Sequence, residues 1–171
     1  MRTLELLAPA RDLECGIAAI DCGADAVYIG APRFGARAAA GNSLDDIAKL
    51  VSHAHRFGAK VYVTLNTIVY DQELDEARAM LVKMDELGVD AVLVQDMALV
   101  AMARELNLKV VLHASTQTDN RNAEKVGLLR SIGFRRVVLA RELSLEEIRT
   151  IHESYPDIEL EAFVHGALCV S

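Results

Sequence analysis

Short apolar runs return at regular intervals along the chain, each separated from the next by a stretch with the composition of a helix. They fall at LELLAP (4–9), AVYIGA (26–31), KVYVTLN (60–66), AVLVQD (91–96), KVVLHAS (109–115), RVVLARE (136–142) and IELEAFVHG (158–166). Most are continuously apolar and rich in β-branched residues, the pattern of parallel strands covered on both faces. The intervening stretches have readable ends. Asp12 is placed to cap the first helix and Gly23 to end it. Ser43, with Asp46, caps the second, which Gly58 ends. Asp71 and Gly88 bracket the third, Asp96 and Asn107 the fourth, and the fifth ends at Gly133. Ser144 with Glu147 forms a capping box for the sixth, and Pro156 follows it.

The modules echo one another. GADAVYIG (23–30) is close to GVDAVLVQ (88–95), and AKVYVTLN (59–66) is close to LKVVLHAS (108–115). Repeated βα units point to a (β/α) barrel or a doubly wound sheet, and unbroken alternation favours the barrel. A full TIM-type barrel has eight strands and about 250 residues. The expectation is an α/β chain forming an incomplete (β/α) TIM-type barrel, with about seven parallel strands and six helices. Residues 1–171 would then be the N-terminal part of a barrel catalytic domain, cut after strand seven. Open edges on strands one and seven would invite self-association.

Composition narrows the function classes. At 171 residues and 52% hydrophobic content, one sizeable core can be buried. The net charge of −7 is unfavourable for a free-standing nucleic-acid binder, although RNA stays open as a substrate if a longer protein carries the basic surface. The start MRTLELLAPARD lacks the features of a signal peptide, and no apolar run reaches the roughly 20 residues that span a bilayer. The cysteines Cys15, Cys22 and Cys169 are too few for a disulfide framework, which suits a cytoplasmic protein without membrane partners.

Barrel active sites form at the C-terminal ends of the strands. Here those ends are polar: Asn66 with Thr67, Gln95 with Asp96, His113 with Ser115, Thr116 and Gln117, Arg141 with Glu142, and His165. Asn66, His113, Glu142 and His165 are the candidate catalytic groups, and Gln95, Gln117 and Arg141 candidate substrate-binding groups. Each has a structural alternative: Asp96 as a helix cap, Glu142 as a partner of Arg141, Ser115 and Thr116 as turn residues. The one long connection, APRFGARAAAGNS (31–43), carries Arg33 and Arg37 with no acidic residue between Pro32 and Asn42. Two guanidinium groups on a glycine-bearing loop either hold a carboxylate or phosphate or are simply solvated. His53 and His55 fall on different helix faces, which disfavours a shared metal. His152 reads as exposed, and Cys15 and Cys22, seven apart, read as core residues.

The segments ELLAPARD, GADAVYIG, FGAR with the following NSL, VTLNT, VQD, HASTQ, LAREL and EAFVHGALCVS resemble the collagenase-like peptidase U32 family, in order from Leu4 to the last residue. The closing Phe–x–His–Gly–Ala–Leu–Cys is the most specific part, and in the family it continues to further cysteines. Some members are recorded as proteases. The resemblance to the bacterial RNA-modifying branch implies an oxygen-independent hydroxylase acting on a cytidine of 23S ribosomal RNA or a wobble uridine of tRNA, with a ubiquinone-ring hydroxylase as a further relative. It implies a 4Fe–4S cluster held by four cysteines in the full-length protein, with Cys169 as the first ligand, and prephenate as co-substrate. ELLAPARD, FGAR, NSLDDIA and VTLNT resemble the ribosomal-RNA cytidine branch most closely.

The residues themselves leave hydrolase and hydroxylase open. His165 and Cys169 are four apart and could pair as base and thiolate if the segment turns helical. No G-x-S-x-G or H-E-x-x-H is present. A cluster needs several thiolates from a longer chain.

Overall fold

The structure, a computed structural model, describes residues 4–35 and 42–166. The chain divides into two compact units, Met1–Leu112 and His113–Ser171. Its described elements alternate strand and helix throughout, with seven strands and six α-helices.

The first unit runs β1 (Leu7–Ala10), α1 (Leu13–Asp21), β2 (Ala26–Gly30), α2 (Leu44–Arg56), β3 (Lys60–Leu65), α3 (Leu74–Glu86), β4 (Ala91–Val94) and α4 (Met97–Glu105). Its strands are parallel and neighbour one another in chain order, with no reversal of the kind a doubly wound sheet requires. In register on one sheet face lie Val27 with Val61, Ile29 with Val63 and Val92, and Leu65 with Val94. These side chains, together with Ile47, Leu50 and Leu81 of the helices, are essentially fully buried. Each contributes on the order of 2 kcal/mol by leaving water. The other face is more polar: Tyr28 and Tyr62 are in register, and the Tyr62 hydroxyl donates to the Glu5 carboxylate at 2.9 Å.

The internal echo has a physical basis. Asp25, at the start of the first echoed segment, accepts the Leu6 N–H at 2.7 Å, and Asp90, at the start of the second, accepts the Val61 N–H at 2.8 Å. In both copies an aspartate before a strand completes the backbone pairing of the preceding one.

The second unit opens within β5 (Val111–Ala114) and continues with α5 (Ala123–Ser131), β6 (Arg136–Val138), α6 (Leu145–Ser154) and β7 (Glu159–Glu161). The strands are again parallel and in chain order, with His113 opposite Arg136 and Arg136 opposite Glu159. Val126, Leu129, Val137, Leu139 and Ile151 form its core.

Helix ends follow the expected chemistry. Asp12 accepts the Cys15 N–H, Asp96 accepts the Ala98 N–H, and both capping boxes, Ser43–Asp46 and Ser144–Glu147, are closed. Asn107 ends α4 at φ 50°, the left-handed position expected of it. Four expectations change. Asp71 caps nothing: a 3₁₀ turn, Asp71–Glu73, leads into α3, and the Glu73 carboxylate accepts the Tyr70 N–H. Cys22 lies past the end of α1 and is exposed, and Cys15 is only half-buried, because α1 turns Gly16 and Ile20 into the core instead. His152 is half-buried. Strands β6 and β7 are shorter than their apolar runs, since the Val138 carbonyl at the end of β6 is taken by a side chain.

Candidate functional site

In the first unit the strand ends are drawn together by the segment after β2. Ala31 donates to the Thr64 carbonyl at 3.4 Å, and Thr67 donates both its N–H and its hydroxyl to the Phe34 carbonyl, at 3.2 and 3.1 Å. Phe34 is buried at φ 64°, and a Cβ on Gly35 would stand 3.3 Å from the Thr64 hydroxyl. This close approach explains the glycine. Asn42, 4% exposed, donates its side-chain amide to the carbonyls of Arg11 and Gly30, closing the ends of β1 and β2.

That packing settles where Arg33 points. Its guanidinium binds Glu76 at 2.5 Å and Glu73 at 3.5 Å, and lies 5.3 Å from the Phe34 ring centre. The loop contains no acidic residue, yet the following βα connection supplies two. Asn66 and Gln95 are half-buried at the ends of β3 and β4. Asp96 combines its cap with a second bond, accepting the Val69 N–H at 3.0 Å, so it holds the loop beyond β3 as well as α4. Arg37 lies outside the described residues.

In the second unit, Asn120 is completely buried and donates to the carbonyls of Ser115 and Val138, while Thr118 donates to its oxygen. His113 is 3% exposed and in register with Arg136. Arg136 is buried on the same face and binds Glu159 at 2.7 Å and Glu161 at 3.5 Å. Burial alone would raise the Glu159 carboxyl, but the hydrogen bond and charge of Arg136, with help from Arg135, hold it below its usual range. Glu159 is 41% exposed, so water screens part of this pair even though Arg136 is enclosed.

Farther along the strands, Glu142 is exposed and meets Arg121 at 3.4 Å, not its neighbour Arg141. Arg141 instead stacks on Phe163, with its guanidinium carbon 4.1 Å from the ring centre. Gln117 and His165 are exposed, and Gly166 turns the chain at φ 119°. Cys169 lies outside the described residues.

The second unit thus brings Arg141, Glu142 and His165 to the ends of its last two strands and leaves His113 deeper in the sheet. Sequence reasoning passed over Asn42, Asn120, Arg136 and Phe163. The charged positions of RVV and ELE, read two apart along the strands, were the available signal for Arg136, Glu159 and Glu161.

A 4Fe–4S cluster finds no fit in the described residues. They contain no group of three or more His, Cys, Asp or Glu able to hold a metal, and Cys15 and Cys22 sit on α1 and its end. No helix among them is long and apolar enough to cross a membrane.

Parallel strands in chain order, helices between them and hydrogen-bonding side chains at the strand ends define a TIM-type scaffold. The chain belongs to peptidase family U32, whose profile matches residues 11–171. It is 54% identical over 98% of its length to the 23S rRNA 5-hydroxycytidine C2501 synthase of Escherichia coli, covering 25% of that protein. It is 41% identical over its whole length to an uncharacterised protease of Methanocaldococcus jannaschii, covering 42% of it. A third relative is tRNA hydroxylation protein P1 of Bacillus subtilis, 39% identical over 98% of the chain and 40% of that protein. The chain therefore spans a quarter to about two fifths of the curated relatives it matches. Among solved structures, a U32 peptidase aligns over 95% of this chain and 69% of its own, with a TM-score of 0.77 at 16% identity, which establishes the fold.

Proposed function

We propose that the chain is part of an oxygen-independent RNA hydroxylase that adds one oxygen to a cytidine of 23S ribosomal RNA. The observation that carries this is the 54% identity over 98% of the chain to a 5-hydroxycytidine synthase, well above its 39% identity to a tRNA hydroxylation protein. A uridine of tRNA is the second reading, supported by the 39% identity to a tRNA hydroxylation protein. The family's peptidase name, shared by the archaeal relative, defines the competing chemistry. In this reading the protein is cytoplasmic.

In this reading, within the first unit, Arg33 and Arg37 hold an anionic group, Gln95 offers a hydrogen bond and Asn66 is a catalytic group; within the second, Gln117 and Arg141 offer hydrogen bonds, and His165 and Glu142 are exposed to exchange protons. His113, buried opposite Arg136, is the enclosed catalytic group of the second unit. Prephenate is the hydroxyl donor. Cys169 is one thiolate ligand of a 4Fe–4S cluster that supplies redox chemistry when bound, the other thiolates coming from outside the described residues. The expected self-association is part of the same proposal: β1 has β2 as its described partner and β7 has β6, which leaves edges for another chain.

The test is Cys169→Ser in the full-length protein, expressed in cells lacking the Escherichia coli relative. Iron and acid-labile sulfide should disappear together with 5-hydroxycytidine in the 23S RNA, while the circular-dichroism spectrum of the barrel is unchanged. Full hydroxylation by the variant overturns the cluster assignment. Peptide cleavage by metal-free protein, with no RNA product, establishes the peptidase instead.

A further inference from the structure

Arg141 and Phe163, both exposed, pack against one another beyond the ends of β6 and β7. The two strands deliver them side by side: Val138 is in register with Glu161, and the Leu139 N–H donates to the Glu161 carbonyl at 2.9 Å. Arg141 and Phe163 follow within a few residues, and the guanidinium settles 4.1 Å from the ring centre. Phe163 remains 40% exposed. An aromatic ring left this open keeps apolar surface in water that a flat ligand would cover.

The neighbouring arginine is committed elsewhere. Arg121 is held by Asp119 and Glu142. Arg141, by contrast, is exposed and makes its one described contact with the phenyl ring. A guanidinium lying on a ring offers a stacking face and directional donors at once.

We infer that Arg141 and Phe163 are a stacking platform for an unpaired nucleobase of the RNA, a role that rests on the RNA-hydroxylase reading and names how its substrate is gripped. Net charge decides between modes of grip. With a formal charge of −7, this chain gains little from the phosphate backbone at long range. Stacking is short-ranged, works for any base and survives salt, so it is the contribution such an acidic chain can make. A loop nucleotide, already unstacked, loses least on being taken up.

The test measures binding of the full-length protein to a fluorescent oligoribonucleotide that carries one central cytidine on an otherwise abasic backbone, and to the same strand with that base removed as well. Phe163→Leu should weaken binding of the cytidine strand by about tenfold or more, and Phe163→Trp should retain it. Wild type should bind the fully abasic strand as weakly as the leucine variant binds the cytidine strand, and the two losses should not multiply. Arg141→Gln, an exposed change that leaves the fold alone, should give a similar loss. Unchanged binding in both Phe163→Leu and Arg141→Gln, or losses that multiply with base removal, overturns the platform while leaving the hydroxylase reading intact. Wild-type protein that binds neither strand overturns both.

Discussion

The side-chain amide of Asn120 donates to the carbonyl of Val138 at 2.8 Å, in a site with no solvent exposure. The same amide reaches the Ser115 carbonyl at 2.9 Å, so one side chain joins the ends of two adjacent strands. In the other unit Asn42 does the equivalent for Arg11 and Gly30. At a strand end the ladder stops and the last carbonyls lose their cross-strand partners. An asparagine amide, with two donors, replaces them.

Asn120→Ala should therefore destabilise the protein by about 2 kcal/mol, because the buried Val138 carbonyl loses its donor, whereas the Ser115 carbonyl keeps the Thr118 N–H and hydroxyl. Asn122→Ala, which removes only the α5 cap, should cost about 1 kcal/mol. Urea unfolding of the two variants compares them, and equal losses would mean that Asn120 acts only locally.

Arg33 is held by Glu76 and Glu73 on an exposed surface, where an ion pair contributes less than about 1 kcal/mol. Arg33→Ala should thus leave the melting temperature within a few degrees of wild type. If Arg33 also binds substrate, kcat/KM of the full-length protein should fall by about tenfold or more. Unchanged kcat/KM would reduce Arg33 to a loop anchor.

Acid stability should track the helix caps. Asp12 is lowered to about 2, first by the Cys15 backbone hydrogen bond, then by the Cys15 side chain and by Arg11. The Ser43 side chain lowers Asp46, and the Ser144 backbone N–H lowers Glu147. A carboxyl whose pKa falls on folding is protonated more readily in the unfolded chain. Its stabilisation is complete above the ordinary value of 3.8 for Asp12 and is lost as the pH falls toward 2. Denaturant midpoints should decline through that window, and Asp12→Asn, which keeps a cap but no charge, should make the decline shallower.

Gly127 faces Tyr155, and a Cβ there would lie 2.3 Å from the hydroxyl and 2.5 Å from the ring carbon bearing it. Gly127→Ala should cost about 1–3 kcal/mol by forcing α5 and the end of α6 apart, despite the better helix propensity of alanine. A thermal melt at or above the wild-type midpoint would show that Tyr155 moves aside freely.

Much of this was legible from the chain alone. The βα alternation, both capping boxes, the Asp12 and Asp96 caps and the stop at Asn107 depend on residues within about four positions of one another, a range over which spacing and propensity decide the outcome. The polar strand ends were equally visible, since they mark where apolar runs stop.

Partnership was not legible. Arg33 read as unneutralised because its own loop lacks acid, but Glu76 stands 43 residues away and meets it through the packing of the next βα unit. Glu142 read as a partner of adjacent Arg141, whereas it meets Arg121, 21 residues back. Adjacent side chains diverge at a strand end, and strands far apart in sequence lie about 5 Å apart in a sheet. The chain by itself therefore determined which elements form and where their polar ends lie. Tertiary structure decided which of those groups are consumed by one another and which, as at Arg141 and Phe163, are left facing out, because only the folded sheet brings distant strands into contact.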